Sequence, residues 1–228
     1  MRIEVLSNTE AVAKRAAAFL AERARDAIAA RGVFVMALSG GKSPWAMLRA
    51  LADETVPWEK VHVVQVDERV ATAGHPDRNL THLRECLLER ANLHEGRIHP
   101  MPVEYPDLAA AAECYAQTLQ DITGTPAVLD LVHLGLGSDG HTASLVPGDP
   151  VLQVLDRDVA VTGAYQGRPR MTLTYPLLNR SREILWIVTG AEKAPMLKRL
   201  LEGDASIPAG RIRRDSALVL ADRAAAGE

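Results

Sequence analysis

Apolar and polar positions along the chain fall into two alternating kinds of segment. Four short runs are apolar almost throughout: VFVMALS (33–39), VHVVQVD (61–67), VLDLVHLGLG (128–137) and EILWIVTG (183–190). Such runs predict strands buried on both faces. Between them lie longer stretches with helical spacing. One runs through AVAKRAAAFLAERARDAIAA to Gly32, with Ser7 and Glu10 forming a capping box at its start. A second follows Ser43 as N-cap, with Pro44 at the first helical position. A third runs from Asn79 to about Ala91, a fourth from Tyr105-Pro106-Asp107 to Gly124, and a fifth covers AEKAPMLKRLLEG. RIEVLS at the start and SALVLA (216–221) near the end predict flanking strands, and DVAVTGA and MTLTYPLL shorter ones. Apolar strands alternating with helices predict an α/β protein with a largely parallel sheet covered on both faces. With no internal repeat and no Gly-, Pro- or Ser-rich linker, residues 1–228 read as one domain.

Composition changes this picture little. The 228 residues, 47% hydrophobic and 24% charged, suffice for a sizeable core. A net charge of −3 gives no electrostatic reason to expect nucleic acid or an anionic membrane as partner. No window approaches the ~18 uninterrupted apolar residues of a membrane span. The first residues lack the charged-then-apolar layout of a signal peptide. A cytoplasmic protein is expected, a monomer or weak homo-oligomer acting on a small molecule. Cys86 and Cys114 both fall in helical stretches and are expected to be buried, reduced thiols. No H-x-x-x-H, C-x-x-C or paired acidic spacing recommends a metal site.

Candidate chemistry gathers at strand ends, where open α/β sheets bind ligands. Four ends carry polar groups: Ser39-Gly40-Gly41-Lys42, Asp67-Glu68-Arg69, Asp139-Gly140-His141, and Thr189-Gly190 with Lys193 shortly after. SGGKS resembles the tail of a phosphate-binding P-loop, but Met36 occupies the position of the required first glycine. What survives is general: glycines let backbone N–H groups face an anion at a helix start, as for a monophosphate. Gly135, Gly137 and Gly140 match the G-x-G-x-x-G spacing of a dinucleotide turn. Pro147 and Gly148 arrive too soon for the long helix that such a turn must open, and no acidic residue ends the next strand. The glycines instead predict a tight turn presenting Asp139 and His141. An imidazole there suits general-base work, because its unperturbed pKa is about 6.5. In Asp67-Glu68-Arg69 the carboxylates could be a base or partners for sugar hydroxyls, with Arg69 as a phosphate clamp. Lys193 lies in the first turn of its helix against the dipole preference, which points to an anion nearby.

ALSGGKSP, VDERV with the downstream Asn79, GLGSDGHTASLVPG, RMTLTYPLLN and VTGAEKA occur in this order. From Val33 to Leu201 they resemble the 6-phosphogluconolactonase family, whose wider superfamily includes glucosamine-6-phosphate deaminase. The resemblance implies a Rossmann-like three-layer α/β/α fold that hydrolyses a phosphorylated sugar lactone with no cofactor and no metal. It also implies that His141 is the general base and that Ser39, Gly40 and Gly41 form the substrate loop. Arg69 and Lys193 would hold the 6-phosphate, and Lys42 would stand near the developing oxyanion. Arg170 is a further substrate-binding candidate, with Arg168 as its competitor. Either Asp139 or Asp67 could assist the base. A deaminase or isomerase of an amino-sugar phosphate is the rival reading, but its turn carries an acidic residue where this chain has Val146. A non-catalytic sugar-phosphate sensor is the alternative of another class.

Overall fold

The computed structural model describes residues 1–228, apart from the side chain of Lys42. The N-terminal half comprises β1 (Arg2–Leu6), α1 (Thr9–Arg31), β2 (Phe34–Leu38), α2 (Lys42–Ala52), β3 (Val61–Gln65), β4 (Asp67–Arg69), α3 (Asn79–Leu83), β5 (Ile98–His99) and α4 (Leu108–Thr123). The rest comprises β6 (Leu131–Gly135), β7 (Val159–Val161), β8 (Arg170–Leu173), α5 (Tyr175–Arg180), β9 (Glu183–Val188), α6 (Ala194–Glu202), β10 (Ala217–Asp222) and α7 (Arg223–Ala226). Seven strands form one sheet in the order β1-β10-β9-β6-β2-β3-β5. Every pairing in it is parallel.

Strand periodicity explains why both faces are covered. In β2, Val35 and Ala37 enter one core with α4, α5 and α6, while Phe34, Met36 and Leu38 enter the other with α1 and α2. In β9, Ile184, Trp186 and Val188 face the first core, and Leu185 and Ile187 the second. This is the three-layer α/β/α arrangement. Strand order reverses at β2, which has β3 on one side and β6 on the other. The crevice at such a reversal is where an open α/β sheet binds its ligand.

A second sheet, antiparallel and three-stranded in the order β4-β8-β7, stands over that crevice. Its formation splits the run expected as one strand over 61–67. Val66 still donates to Leu38 O of the large sheet at 3.0 Å, but its own carbonyl accepts from Leu173 N–H of β8 at 2.8 Å. Asp67 therefore opens a new strand.

Other expectations are corrected locally. Asn8, not Ser7, caps α1, its side chain accepting from Ala11 N–H at 2.9 Å. Gly41 is the N-cap of α2, and the Ser43 hydroxyl bonds instead to Thr189 Oγ1 at 2.8 Å. The helix from Asn79 passes into a π-helical turn over Arg84–Leu88. Of MTLTYPLL, only the first part is strand; Tyr175-Pro176-Leu177-Leu178 begins α5. Cys86 is buried, but Cys114 is exposed. No helix is long and apolar enough to cross a membrane.

Candidate active site

The two loops at the sheet reversal are braced against each other. Ser39, just past β2, donates its hydroxyl to His133 O of β6 at 2.9 Å and its N–H to His133 Nδ1 at 3.3 Å. Burial lowers the pKa of His133 to about 3, so its ring is neutral and accepts at Nδ1. Ser39 thus fixes the loop rather than offering a free hydroxyl. Gly40 packs against the Asn79 amide so closely that a Cβ would overlap it. Gly41 has φ 120°, a conformation that disfavours any side chain. The Lys42 side chain lies outside the described residues.

The loop after β6 is a closed turn, with Gly137 N–H donating to His141 O at 2.8 Å and Gly140 N–H to Gly137 O at 3.0 Å. Within it, Asp139 Oδ1 lies 2.5 Å from His141 Nδ1 and also accepts from His141 N–H at 3.1 Å. A Cβ on Gly137 would collide with the imidazole, so this glycine makes room for the pair. Burial opposes the charge on Asp139, but the His141 N–H and imidazole outweigh it and hold the carboxyl below its ordinary value. With Nδ1 engaged, Nε2 is the ring nitrogen left for other partners. Three residues beyond His141, Ser144 Oγ donates to Asp67 Oδ2 at 2.6 Å, joining this turn to the small sheet.

Alternation along β4 divides the DER triplet. Asp67 and Arg69 project toward the crevice; Glu68 projects away and is fully buried. Glu68 accepts from the N–H groups of Arg69, Asn79 and Leu80, each at 2.8 Å, and from Gln65 Nε2 at 2.8 Å. It anchors the start of α3 and takes no part in the crevice. Asp67 is 5% exposed, and burial raises its pKa against the opposing pull of Ser144 and Arg170. Asn79 ties the region together: its amide nitrogen donates to Asp67 O at 2.9 Å, and its Oδ1 accepts from Arg69 Nη1 at 2.8 Å.

Arg69 and Arg170 are register partners across β4 and β8, so both guanidinium groups lie on one face. Like charges directly opposite each other are unfavourable unless an anion joins them. Arg170 is only 4% exposed, lies 3.9 Å from Asp67 Oδ2, and has no protein partner for Nε among the described residues. Arg168 lies elsewhere, its Nε paired with Asp77 Oδ2 at 3.0 Å. Of the two competing arginines, Arg170 faces the crevice.

Ser39, Gly40, Gly41, Asp67 and Arg69 line a single cavity of about 380 Å³. His141, Arg170 and Lys193 also line it, together with Ser43, Thr189 and Glu192. Lys193 ends the 3₁₀ turn over Ala191–Lys193 that precedes α6, after Gly190 with φ 98°. Asp139 reaches the cavity only through His141. Asn79, Tyr165 and Gln166 also line it and were not foreseen as site residues. Asn79 follows the DER motif closely enough to have been a candidate; Tyr165 and Gln166 carry no local signal. Among the described residues, no group of three or more His, Cys, Asp or Glu is placed to hold a metal ion.

The family described as glucosamine-6-phosphate isomerases/6-phosphogluconolactonase matches residues 7–220. The 6-phosphogluconolactonase of Synechocystis sp. is 40% identical over 208 residues, covering 90% of this chain and 86% of that protein. The crystal structure of 6-phosphogluconolactonase from Thermotoga maritima is similar with a TM-score of 0.86 at 26% identity, covering 97% of this chain and 98% of that one. A monomeric glucosamine-6-phosphate deaminase reaches a TM-score of 0.87 at 20% identity, covering 100% of this chain and 99% of its own. Backbone likeness alone therefore does not separate the two reactions.

Proposed function

The chain belongs to the glucosamine-6-phosphate isomerase/6-phosphogluconolactonase family, and we propose that it hydrolyses 6-phospho-D-glucono-1,5-lactone to 6-phospho-D-gluconate, the lactone-opening step of the pentose phosphate pathway. The observation that carries this reading is the Asp139–His141 pair at 2.5 Å, on the same cavity as Arg69, Arg170 and Lys193. A base and a cluster of cations on one small cavity suit a substrate with a reactive carbonyl at one end and a phosphate at the other.

His141, oriented through Nδ1 by Asp139, takes a proton from water at Nε2 as the water oxygen bonds to the lactone carbonyl carbon. The tetrahedral oxyanion is met by the N–H groups of Gly40 and Gly41 and by the cationic side of the cavity. Its collapse breaks the bond from that carbon to the ring oxygen, which receives the proton from the imidazolium. Arg69 and Lys193 hold the phosphate, which fixes the distant carbonyl over the base. Arg170 joins either the phosphate or the carbonyl side. Asp67, buried and drawn toward protonation, orients Arg170 and meets a sugar hydroxyl. These steps use only the chain's own residues, in a single domain acting in the cytoplasm as a monomer or weak homo-oligomer.

Val146 speaks against amino-sugar deamination. It is buried and does not line the cavity, so the extra carboxylate expected of that chemistry has no counterpart at this position. The test is a lactonase assay beside a glucosamine-6-phosphate deaminase assay, run on the wild type and on His141→Ala. The expected result is activity on the lactone alone, falling about 10²–10⁴-fold in the variant, the span for a lost general base. Deaminase activity, or a variant with wild-type turnover above the spontaneous rate, would reject the proposal.

A further inference from the structure

Tyr165 belongs to none of the motifs above, yet it touches both halves of the site. It flanks the turn between β7 and β8, whose central residues Gln166 (φ 53°) and Gly167 (φ 80°) both occupy the left-handed region of a type I′ hairpin turn. Tyr165 and Arg168 close the turn with reciprocal backbone hydrogen bonds of 3.0 and 3.4 Å. On its outer side the hairpin is anchored by the Arg168–Asp77 ion pair. On its inner side the Tyr165 hydroxyl donates to Asp139 Oδ2 at 3.3 Å, while Oδ1 of the same carboxylate holds the imidazole. The phenol ring stands edge-on to the His141 ring, with centroids 5.4 Å apart. The Arg170 guanidinium lies over the same phenol ring, 4.9 Å from its centroid. The neighbouring Gln166 accepts from Arg170 Nη2 at 3.1 Å.

We propose that Tyr165 is a positioning residue for the hydrolysis, acting through Asp139 to fix the carboxylate that orients the base; this rests on the lactonase reading above. A carboxylate held by one oxygen can rotate about its Cβ–Cγ bond. A donor on the second oxygen stops that rotation and keeps Oδ1 on Nδ1. The phenol edge meanwhile limits the swing of an imidazole that is 25% exposed. Because the same ring lies against Arg170, the hairpin sets the spacing between the base and a cation that binds substrate.

The test is Tyr165→Phe, which removes the hydroxyl and leaves the ring on Arg170 and His141. The expected result is a fall in kcat of about three- to tenfold, the size of one ordinary hydrogen bond, with KM nearly unchanged. The acid limb of the kcat/KM profile moves to lower pH, because a carboxylate free to rotate off Nδ1 stabilises the imidazolium less. In an Asp139→Asn background the same substitution has no further effect on kcat, since both act on one contact. Tyr165→Ala, which also removes the ring, raises KM in addition. A Tyr165→Phe enzyme with wild-type kcat and pH profile overturns the proposal, and so does an equal loss in the Asp139→Asn background. If the wild type is an active lactonase and His141→Ala is not, either result removes only the role of Tyr165. A wild type without lactonase activity removes the functional reading and this inference together.

Discussion

Asp67 lines the cavity and Asp139 stands behind its His141 wall, and the two are under opposite regimes. Asp67 arrives on β4 with its side chain enclosed by Ser144, Asn79 and Arg170, and burial raises its pKa. Asp139 arrives on a turn past β6 with its side chain 38% exposed, and the imidazole beside it holds its pKa down. When an active site pushes two carboxyl groups apart in this way, it divides labour between them. Asp139, held below its ordinary value, favours its anionic form beside the imidazole, as the proposed base chemistry needs. Asp67, its charge opposed by burial, stands on the wall that carries Arg69 and Arg170. The same division runs through their surroundings: the base side is a turn made by glycines, and the two arginines stand on an antiparallel sheet braced by Glu68 and Asn79.

The sharpest way to break this comparison is to neutralise each carboxylate in turn. Asp139→Asn presents an amide to Nδ1, which no longer selects one tautomer or stabilises the imidazolium. A kcat loss of about 10²–10⁴-fold is expected, as when the carboxylate of a catalytic triad becomes an amide. Asp67→Asn keeps an acceptor for Ser144 and should lose less than about tenfold, mainly in KM. Equal losses in the two variants, measured by steady-state lactone hydrolysis, would show that the division is false.

The next effect separates the two walls of the cavity. Arg69→Ala and Lys193→Ala should each lower kcat/KM for the phosphorylated lactone by about 10–10²-fold, the value of a charged hydrogen bond. On the dephosphorylated lactone the loss should be much smaller, because no phosphate is there to be held. Equal losses on both substrates would move these residues from phosphate binding to the reacting carbonyl.

How far the sequence foretold this division differs between the walls. The base side is local: Gly137, Asp139, Gly140 and His141 lie within a single turn, so their spacing predicts a tight turn presenting Asp139 and His141, while the choice between Asp139 and Asp67 as the partner of the ring needs the fold. Most of the parallel sheet was legible for a similar reason, since β2, β3, β6 and β9 are nearly continuous apolar runs, whereas the two-residue β5 was not expected. The cationic side depends on partners far along the chain. A three-residue strand such as Asp67–Arg69 has too few positions to show a period, and only the return of β8 makes it a strand. Arg168 and Arg170 differ by two residues and share their local chemistry; Asp77 on the one hand and the Tyr165 ring on the other decide which faces the cavity. Ser43 likewise looks like a cap until Thr189 is brought beside it, and Ser7 and Asn8 offer equivalent caps one residue apart. Contacts of this kind are set by tertiary packing, which propensity and spacing do not encode.

The smallest effect is also the most direct measure of the two regimes, because it reads stability rather than turnover. An unfolded aspartate titrates near 3.9. Asp139, lowered in the folded protein, contributes stability that is fully present above that value and lost as pH falls through the folded one. Asp67, raised in the folded protein, acts with the opposite sign: the fold binds its proton more tightly, so stability falls as pH rises from near 3.9 toward the raised value. Urea-unfolding midpoints of the wild type, Asp139→Asn and Asp67→Asn across the acid range should show both slopes. The difference between wild type and Asp139→Asn should grow with pH below about 3.9 and then level off. The difference between wild type and Asp67→Asn should shrink or reverse above it. Two slopes of the same sign would mean that Asp67 and Asp139 are treated alike by the fold, and the separate roles argued for them would lose their physical basis.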